Sequence, residues 1–159
     1  MKKYEFTGET KQVELLFRTA TLHRIRAVVE FGLVKVGDLG GWIEKEENLS
    51  HEGKAWVWGN AKVWGNAKVC GNAEVFSASH VLVIGAIGSR NDFTTFYRDK
   101  DGEITVKCGC FLGKIDKFLE KVTATHGNSK YALVYRAAVE VAKLQIDLSG
   151  EAPEQNNND

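Results

Sequence analysis

The segment AWVWGNAKVWGNAKVCGNAEVF, residues 55–76, repeats one six-residue unit more than three times and decides the predicted fold. Within each unit Ala and Val occupy alternate positions, whereas the apolar residues of a helix would recur at a period near 3.6. Alternation at a period of two is typical of a strand with one buried face. The unit ends in Gly-Asn, the residue types that best tolerate a positive φ. The pattern therefore predicts a short strand and a tight corner in every unit.

Three such strands and corners close one coil of about 18 residues, with Ala and Val side chains stacked along its axis. This arrangement is a hexapeptide-repeat parallel β-helix, and the sequence resembles left-handed β-helix proteins of that type. The predicted fold class is mainly β: a short left-handed parallel β-helix, an N-terminal β-cap, and a C-terminal β-hairpin followed by two helices. Two full coils are fewer than the repeats that a solenoid usually needs, so both ends require caps.

The same register predicts which side chains point away from the coil axis. Trp56 is expected on the outside beside Glu74, and His80 is expected to project outwards. Large apolar side chains on the outer faces form patches of the kind that usually mark a covered surface. We therefore predict an interface between identical chains, a homotrimer as is common for this fold, at Trp58, Trp64, Phe76 and Leu82. Burial beneath another part of the same chain is the alternative.

The chain divides into four predicted segments. Residues 1–48 read as strands separated by turn signals and form the N-terminal β-cap, and residues 49–90 form the β-helix. Residues 91–148 contain the hairpin, whose turn is the sequence DKDG, and the two helices. Residues 149–159 are polar and contain the single proline, so they are predicted to be a disordered tail.

The two helices are predicted from their apolar spacing and their end signals. The first has apolar residues at i, i+3, i+4 and i+7 from Ile115 and stops before Gly127. Asn128 or Ser129 is expected to cap the second helix. This second helix carries a broad apolar stripe that needs a partner, made of Tyr131, Val134, Tyr135, Ala138, Val141 and Ala142.

Composition limits the classes of function. Lys plus Arg equals Asp plus Glu, 21 each, so no overall field favours nucleic acid, and general nucleic-acid binding is not predicted. No apolar run reaches the roughly 18 residues that span a bilayer, so no membrane partner is expected. The first residues do not resemble a signal peptide. These features predict a cytoplasmic protein.

Neither a metal site nor a catalytic residue is predicted. Three cysteines are an odd set for a disulfide framework, and Cys108-Gly-Cys110 lacks a second pair of metal ligands at suitable spacing. Acyltransferases with this fold resemble the chain in the hexads and use an interface histidine as a general base. His80 is the only histidine inside the predicted coils, and nothing in the sequence indicates a pocket beside it. No cofactor is predicted either.

A polar and aromatic stretch, GSRNDFTTFYR at residues 88–98, follows the point where the hexads lose their register. Arginine forks bind phosphate or carboxylate, and aromatic rings stack on bases, so the mixture suits a small anionic nucleotide-like ligand. The predicted ligand-binding residues are Ser89, Arg90, Asn91, Thr94, Thr95, Tyr97 and Arg98. The alternative is that these groups only satisfy backbone atoms where the β-helix ends.

Several segments together resemble a family of small hexapeptide-repeat proteins encoded in bacteriophages and prophages. They are LHRIRA, GDLGGWIEKEENLS, the GNAKV repeats, IGSRNDFTTFYRDKDGEITVKCGCF and FLEKVTATHGNSKYALVYRAAVEVAKL, and the likeness covers about residues 1–148. The resemblance implies a phage setting and hence the cytosol of a bacterial host. It implies no particular activity.

These observations favour one functional hypothesis and leave two others open. The favoured one is a non-enzymatic, phage-encoded homo-oligomer that acts against host defence. It would sequester a small anionic nucleotide-type signal of the host at its subunit interfaces. The alternatives are an inhibitor that binds a host defence enzyme through its surface, and a hexapeptide-repeat acyltransferase.

Overall fold

The N-terminal third of the chain forms a long antiparallel hairpin with one further strand. A computed structural model describes residues 1–149. Strand β1 (Tyr4–Glu14) pairs with β2 (Thr19–Ala27), with a register shift between Phe6 and Thr10. Strand β3 (Leu39–Ile43) pairs antiparallel with β2 on the other side. These three strands form most of a four-stranded sheet.

The hexad segment, residues 55–76, contributes three strands of two residues each: β4 (Trp56–Val57), β5 (Lys62–Val63) and β6 (Glu74–Val75). β5 pairs parallel with β3 and completes the first sheet. β4 and β6 pair parallel with each other, and Trp56 lies opposite Glu74, so the predicted 18-residue register is confirmed here. All the alternating Ala and Val side chains of the segment are buried. The three corner glycines have φ of 54°, 64° and 65°, as the corner prediction requires.

The prediction of a left-handed parallel β-helix is nevertheless wrong. Such a fold would show parallel strands stacked coil upon coil, whereas parallel pairing within residues 1–149 is confined to β3 with β5, β4 with β6, and one bridge from Leu49 to Val69. Residues 1–149 are mainly β, with one mixed sheet, one antiparallel sheet, a two-stranded parallel pair and two α-helices. The hexad segment lies between the antiparallel hairpin of β1 and β2 and the antiparallel sheet of β7 to β10 along the chain, and it contributes β5 to the mixed sheet.

The reason for this difference lies directly after the hexad segment. Residues 81–87, VLVIGAI, form an uninterrupted apolar run without Gly-Asn corners. In an antiparallel ladder, most residues of such a run can pair with a neighbouring strand. As one side of a coil, only about two residues would pair. It accordingly forms β7 (Val81–Ile87), which pairs antiparallel with β8 (Asp92–Arg98). No further coil is built.

The C-terminal half is an antiparallel sheet covered by two helices. β8 pairs with β9 (Ile104–Cys108), and β9 pairs with β10 (Phe111–Lys114), which gives the strand order β10-β9-β8-β7. The predicted hairpin with its turn at residues 99–102 is therefore present as β8 and β9. Helix α1 (Ile115–His126) packs on β9 and β10, and α2 (Lys130–Gln145) packs on β7. A second hydrophobic core lies between sheet and helices.

The helix boundaries agree with the sequence signals, but the apolar stripe of α2 is only partly covered. Gly127 ends α1 with φ 57°, and its N–H donates to the carbonyl of Thr123 at 2.9 Å. Ser129 occupies the N-cap position of α2 without a side-chain hydrogen bond. Tyr131 and Val141 of the predicted stripe are 44% and 47% exposed. The rest of the stripe faces the sheet and α1.

Two predicted outward positions are instead buried within the chain. Trp56 is 1% exposed because the N-terminal residues cover it, with the rings of Tyr4 and Phe31 packed edge-on against its indole. His80 is 6% exposed, and its Nδ1 accepts a hydrogen bond from the N–H of Phe76 at 3.1 Å. Trp56 is therefore covered by a segment outside the hexads, whereas His80 turns back onto Phe76, the last residue of the hexad segment.

Residues 150–159, nearly all of the predicted tail, lie outside the described residues. Among residues 1–149, no helix is both long enough and apolar enough to cross a membrane.

Candidate functional site

A cavity of about 350 Å³ opens between the two helices and two neighbouring β-turns. We call it the helix–turn cavity. The β7–β8 turn and the β9–β10 turn form one wall, α1 forms the opposite wall, and Tyr135 of α2 closes the inner end. Its lining side chains combine rings, cations and hydroxyls, and the main ones are Ser89, Arg90, Asp92, Phe111, Phe118, Lys121, Thr125, His126 and Tyr135.

The β7–β8 turn owes its shape to a glycine that touches Tyr135. Gly88 has φ 78°, and a Cβ built on it would lie 1.8 Å from the Tyr135 hydroxyl, so only glycine fits here. Asn91 has φ 47°, and its N–H donates to the Gly88 carbonyl at 3.2 Å. This tight turn leaves Ser89 and Arg90 exposed at the mouth of the cavity.

The β9–β10 turn lies beside the first turn because β8 and β9 pair in register there. Thr94 lies opposite Cys108 in the ladder, and its hydroxyl contacts the Cys108 sulfur at 3.4 Å. Gly109 has φ 56°, and a Cβ built on it would lie 4.0 Å from Nη1 of Arg90. The Arg90 guanidinium therefore extends across the second turn.

Aromatic rings form the floor of the cavity. Phe118 is 3% exposed and meets Tyr135 edge-on at 5.7 Å between centroids, and Phe111 lies 5.4 Å from Phe118. The imidazole of His126 stacks on Tyr135 at 5.8 Å with an interplanar angle of 26°. These contacts fix the rings relative to one another. The floor is thus aromatic and apolar, a lining against which a heteroaromatic ring packs favourably.

The Tyr135 hydroxyl is held in its neutral form. Burial raises the pKa of Tyr135 to about 12, with Cys108 and Asp92 adding to the rise and Arg90 opposing it. A desolvated phenol close to acidic groups disfavours its own ionisation. At neutral pH the phenol therefore keeps its proton, and it is hydrogen-bonded to Cys108 in the wall of the cavity.

Positive charge outweighs negative charge at the rim. Arg90 and Lys121 face the cavity from opposite walls, and Asp92 is the one carboxylate among its lining residues. Within residues 1–149 neither Arg90 nor Lys121 forms an ion pair. Two cations that form no ion pair with any described residue, beside an aromatic floor, suit an anionic ligand that carries a ring.

The structure divides the predicted ligand-binding residues among three places. Ser89 and Arg90 line the helix–turn cavity, and Asn91 belongs to the same turn. Thr94 lies one layer beneath the cavity, 1% exposed, and is bonded to a cavity-lining sulfur. These four residues form one neighbourhood around the β7–β8 turn.

The remaining three predicted residues lie elsewhere. Thr95 and Tyr97 face the hexad segment from the other side of β8. Thr95 accepts the Lys68 N–H at 3.0 Å, and Tyr97 lies in the hydrophobic core that contains the buried Ala and Val side chains of the hexads. Arg98 lies at the far end of β8, about 20 Å of strand from its first residue. Its guanidinium lies over the Phe76 ring at 5.7 Å. Alternate residues of a strand point to opposite faces of the sheet, so consecutive residues of β8 cannot all line the same cavity.

Sequence reasoning missed most of the α1 side of the cavity. Phe118, Lys121, Thr125 and His126 line it at the spacings of one helix face. A helical wheel shows that they share a face, but not that this face meets the two turns. Cys108 and Cys110 also line the cavity, and all three cysteines of the chain are free thiols. No group of three or more His, Cys, Asp or Glu residues in the described part of the chain could hold a metal ion.

The predicted oligomer-interface residues form two pairs. Trp58 and Phe76 contact each other at 5.7 Å between ring centroids, and Arg98 covers the second ring, so this pair is partly buried within the chain. Trp64 and Leu82 line a separate groove of about 290 Å³ between the hexad segment and β7. Their role in an interface stays a prediction.

Comparison with known proteins adds no family: no family model matches the chain, and the curated proteins searched contain no significant match.

Proposed function

We propose that the protein binds a small anionic ligand with a heteroaromatic ring, of the nucleotide class, in the helix–turn cavity. The observation that carries this proposal is the pairing of Arg90 and Lys121 across a floor made of Phe118 and Tyr135. The volume of about 350 Å³ lies in the range of small-molecule sites, roughly 300–1,000 Å³.

Each part of the cavity has a role in this proposal. The Arg90 guanidinium donates two parallel hydrogen bonds to a phosphate at the mouth, and the Lys121 ammonium neutralises it from the other wall. The ring of the ligand lies on the aromatic floor, beside the neutral Tyr135 phenol. Ser89 supplies a further hydroxyl beside Arg90.

The biological role follows as part of the same proposal. A protein that holds a nucleotide without converting it lowers the free concentration of that nucleotide. In the phage setting implied by the sequence resemblance, the natural ligand would be a nucleotide signal of the host's defence, withheld from the enzyme it activates. The cavity is formed by one chain, so binding does not require a subunit interface.

The test is calorimetric titration of the full chain with a panel of linear and cyclic nucleotides. We expect at least one to bind with one site per chain. Arg90→Gln and Lys121→Gln should each weaken that affinity about 10-fold or more, because a hydrogen bond to a charged group contributes roughly 1.5–3 kcal/mol. Lys117→Gln is the matched control, since Lys117 lies on the same helix outside the cavity and pairs with Glu120.

Two results would count against the proposal. One is the absence of heat with every nucleotide at protein concentrations of about 100 μM, far above the Kd expected of a dedicated site. The other is an equal loss of affinity in Lys117→Gln and Lys121→Gln, which would place the charge effect outside the cavity. Stoichiometric capture of a host enzyme by a chain that binds no nucleotide would favour the inhibitor alternative.

A further inference from the structure

The hairpin of β1 and β2 ends in an apolar tip that no part of the described chain covers. The N–H of Leu15 donates to the carbonyl of Arg18 at 2.7 Å, so Leu16 and Phe17 form a two-residue loop. They are 88% and 93% exposed. Polar and glycine residues are normal in such loops, so turn chemistry does not account for Leu-Phe here.

The tip is fixed to the body of the molecule. The Arg18 guanidinium binds the Glu44 carboxylate through both of its terminal nitrogens, one at 2.9 Å, and the same carboxylate accepts the Gly65 N–H at 2.7 Å. Behind the tip, Val13 and Leu15 pack on a small core that includes Trp42. The end of the β1–β2 hairpin is therefore anchored, and we call this anchored end the arm. It holds Leu16 and Phe17 in solvent.

A groove lies next to the base of this arm. It has a volume of about 290 Å³ and is lined by hexad residues 62–67 and by the first residues of β7, including Trp64 and Leu82. β7 is the edge strand of its sheet, and its sequence VLVIGAI contains no charge. An uncharged edge strand beside an open groove that contains exposed apolar side chains is a surface that proteins normally cover.

Charge is complementary between the tip and the groove. Glu14 at the base of the tip and Lys62 in the wall of the groove have no ion-pair partner within residues 1–149. Within one molecule Glu14 and Lys62 do not pair with each other, and the tip extends into solvent. A second copy can therefore supply both the apolar tip and the carboxylate.

We propose that the groove receives the Leu16–Phe17 tip of a second copy of this chain. Tip and groove adjoin on each molecule, since Gly65 binds the arm's anchor and also lines the groove. One two-fold axis then inserts each tip into the opposite groove and brings each Glu14 to the opposite Lys62. This proposal does not depend on the ligand in the helix–turn cavity.

Sedimentation velocity across a concentration series, up to about 200 μM, measures the association, because small interfaces of this kind have affinities near the micromolar range. We expect a dimer. The double variant Leu16→Ser/Phe17→Ser should raise its Kd about 100-fold or more, because it removes two anchor side chains from each of the two tips. Leu133→Ser/Leu144→Ser on α2 is the matched control, because these residues are 60% and 89% exposed and lie outside the groove.

A charge exchange tests the pairing itself. Glu14→Lys and Lys62→Glu should each weaken the dimer, and the two together should restore it, which a general effect on folding would not produce. Single variants Phe17→Cys and Leu82→Cys, mixed in a Cys110→Ser background, should form an intermolecular disulfide, and neither should cross-link alone.

Clear results would overturn the proposal. A chain that stays monomeric throughout the series has no such contact. A dimer that survives the tip variant but dissociates in the α2 control uses another surface. Cross-linking of Phe17→Cys with itself would show a tip-to-tip contact in place of tip insertion, and failure of the charge exchange to restore association would remove the proposed register.

Discussion

Lys3 is a buried cation, and its burial makes the stability of the fold depend on pH in an unusual direction. The residue is 2% exposed. Its Nζ donates to the Ala55 carbonyl at 2.7 Å and lies 4.7 Å from the centre of the Phe31 ring. Burial lowers the pKa of Lys3 from 10.5 to about 8, and nearby Cys70 only partly opposes this effect. One carbonyl and one ring do not replace the lost hydration of an ammonium group.

The size of the effect follows from these two pKa values. Between about pH 8 and pH 10.5 the unfolded chain keeps the Lys3 proton while the folded chain releases it, so the free energy of unfolding increases as pH rises. Linkage gives an increase of about 2 kcal/mol between about pH 7.5 and pH 9.5. Stopping near pH 9.5 keeps the phenol groups of the unfolded chain mostly protonated.

Urea unfolding monitored by tryptophan fluorescence measures this contribution. The wild type should gain about 2 kcal/mol relative to Lys3→Met over that interval, since methionine fills the same space without a titrating group. Loss of the bond to Ala55 lowers the stability of the variant equally at every pH and drops out of the comparison. Parallel pH profiles for the two proteins would refute the conclusion that the Lys3 ammonium is destabilised by burial.

Three further substitutions test the packing that positions the cavity and the arm. Gly88→Ala should destabilise the fold by about 2 kcal/mol or more in chemical unfolding, because the new methyl collides with the Tyr135 phenol. Gly102→Ala is the control: it has a similar φ and open space around it, so its free energy of unfolding should fall by only about 1 kcal/mol. Asn48→Ala should cost about 2–4 kcal/mol by the same assay, since its buried amide donates to two hexad carbonyls and accepts one N–H. Arg18 lowers the pKa of Glu44, so the wild type has extra stability above about pH 4.5 that it loses as the pH falls through that lowered pKa, and Glu44→Gln should lack this contribution. In thermal unfolding across pH 3–6, the melting temperatures of the two proteins should converge as the pH falls. A constant difference between them would contradict the assignment.

The hexads show how far periodicity leads. Alternating Ala and Val predicted the buried positions of residues 55–76, the corner glycines and the contact of Trp56 with Glu74. The period says nothing about how many coils follow or what covers them. The fold-class prediction failed because β7 found a longer antiparallel partner, and Trp56 is buried because the N-terminal residues fold back over it. Both depend on contacts between segments distant in sequence.

The site shows a similar division between local and distant information. Arg90 and Ser89 could be singled out from the sequence because a polar turn interrupts an apolar pattern. Strand alternation alone places Thr94 on one face of β8 and Thr95 and Tyr97 on the other, a step available from the sequence. The contribution of Lys121 could not be derived, because it requires α1 to dock beside both turns. That docking is determined by ring packing in the second core.

The position of a bound nucleotide tests the central claim most directly. In a two-dimensional amide NMR titration of the full chain, we predict saturable shifts confined to residues 88–92, 108–111 and 118–126 together with Tyr135, all around the helix–turn cavity. Shifts centred on the groove at residues 62–67 and 81–83, or no saturable shift with any nucleotide, would contradict it.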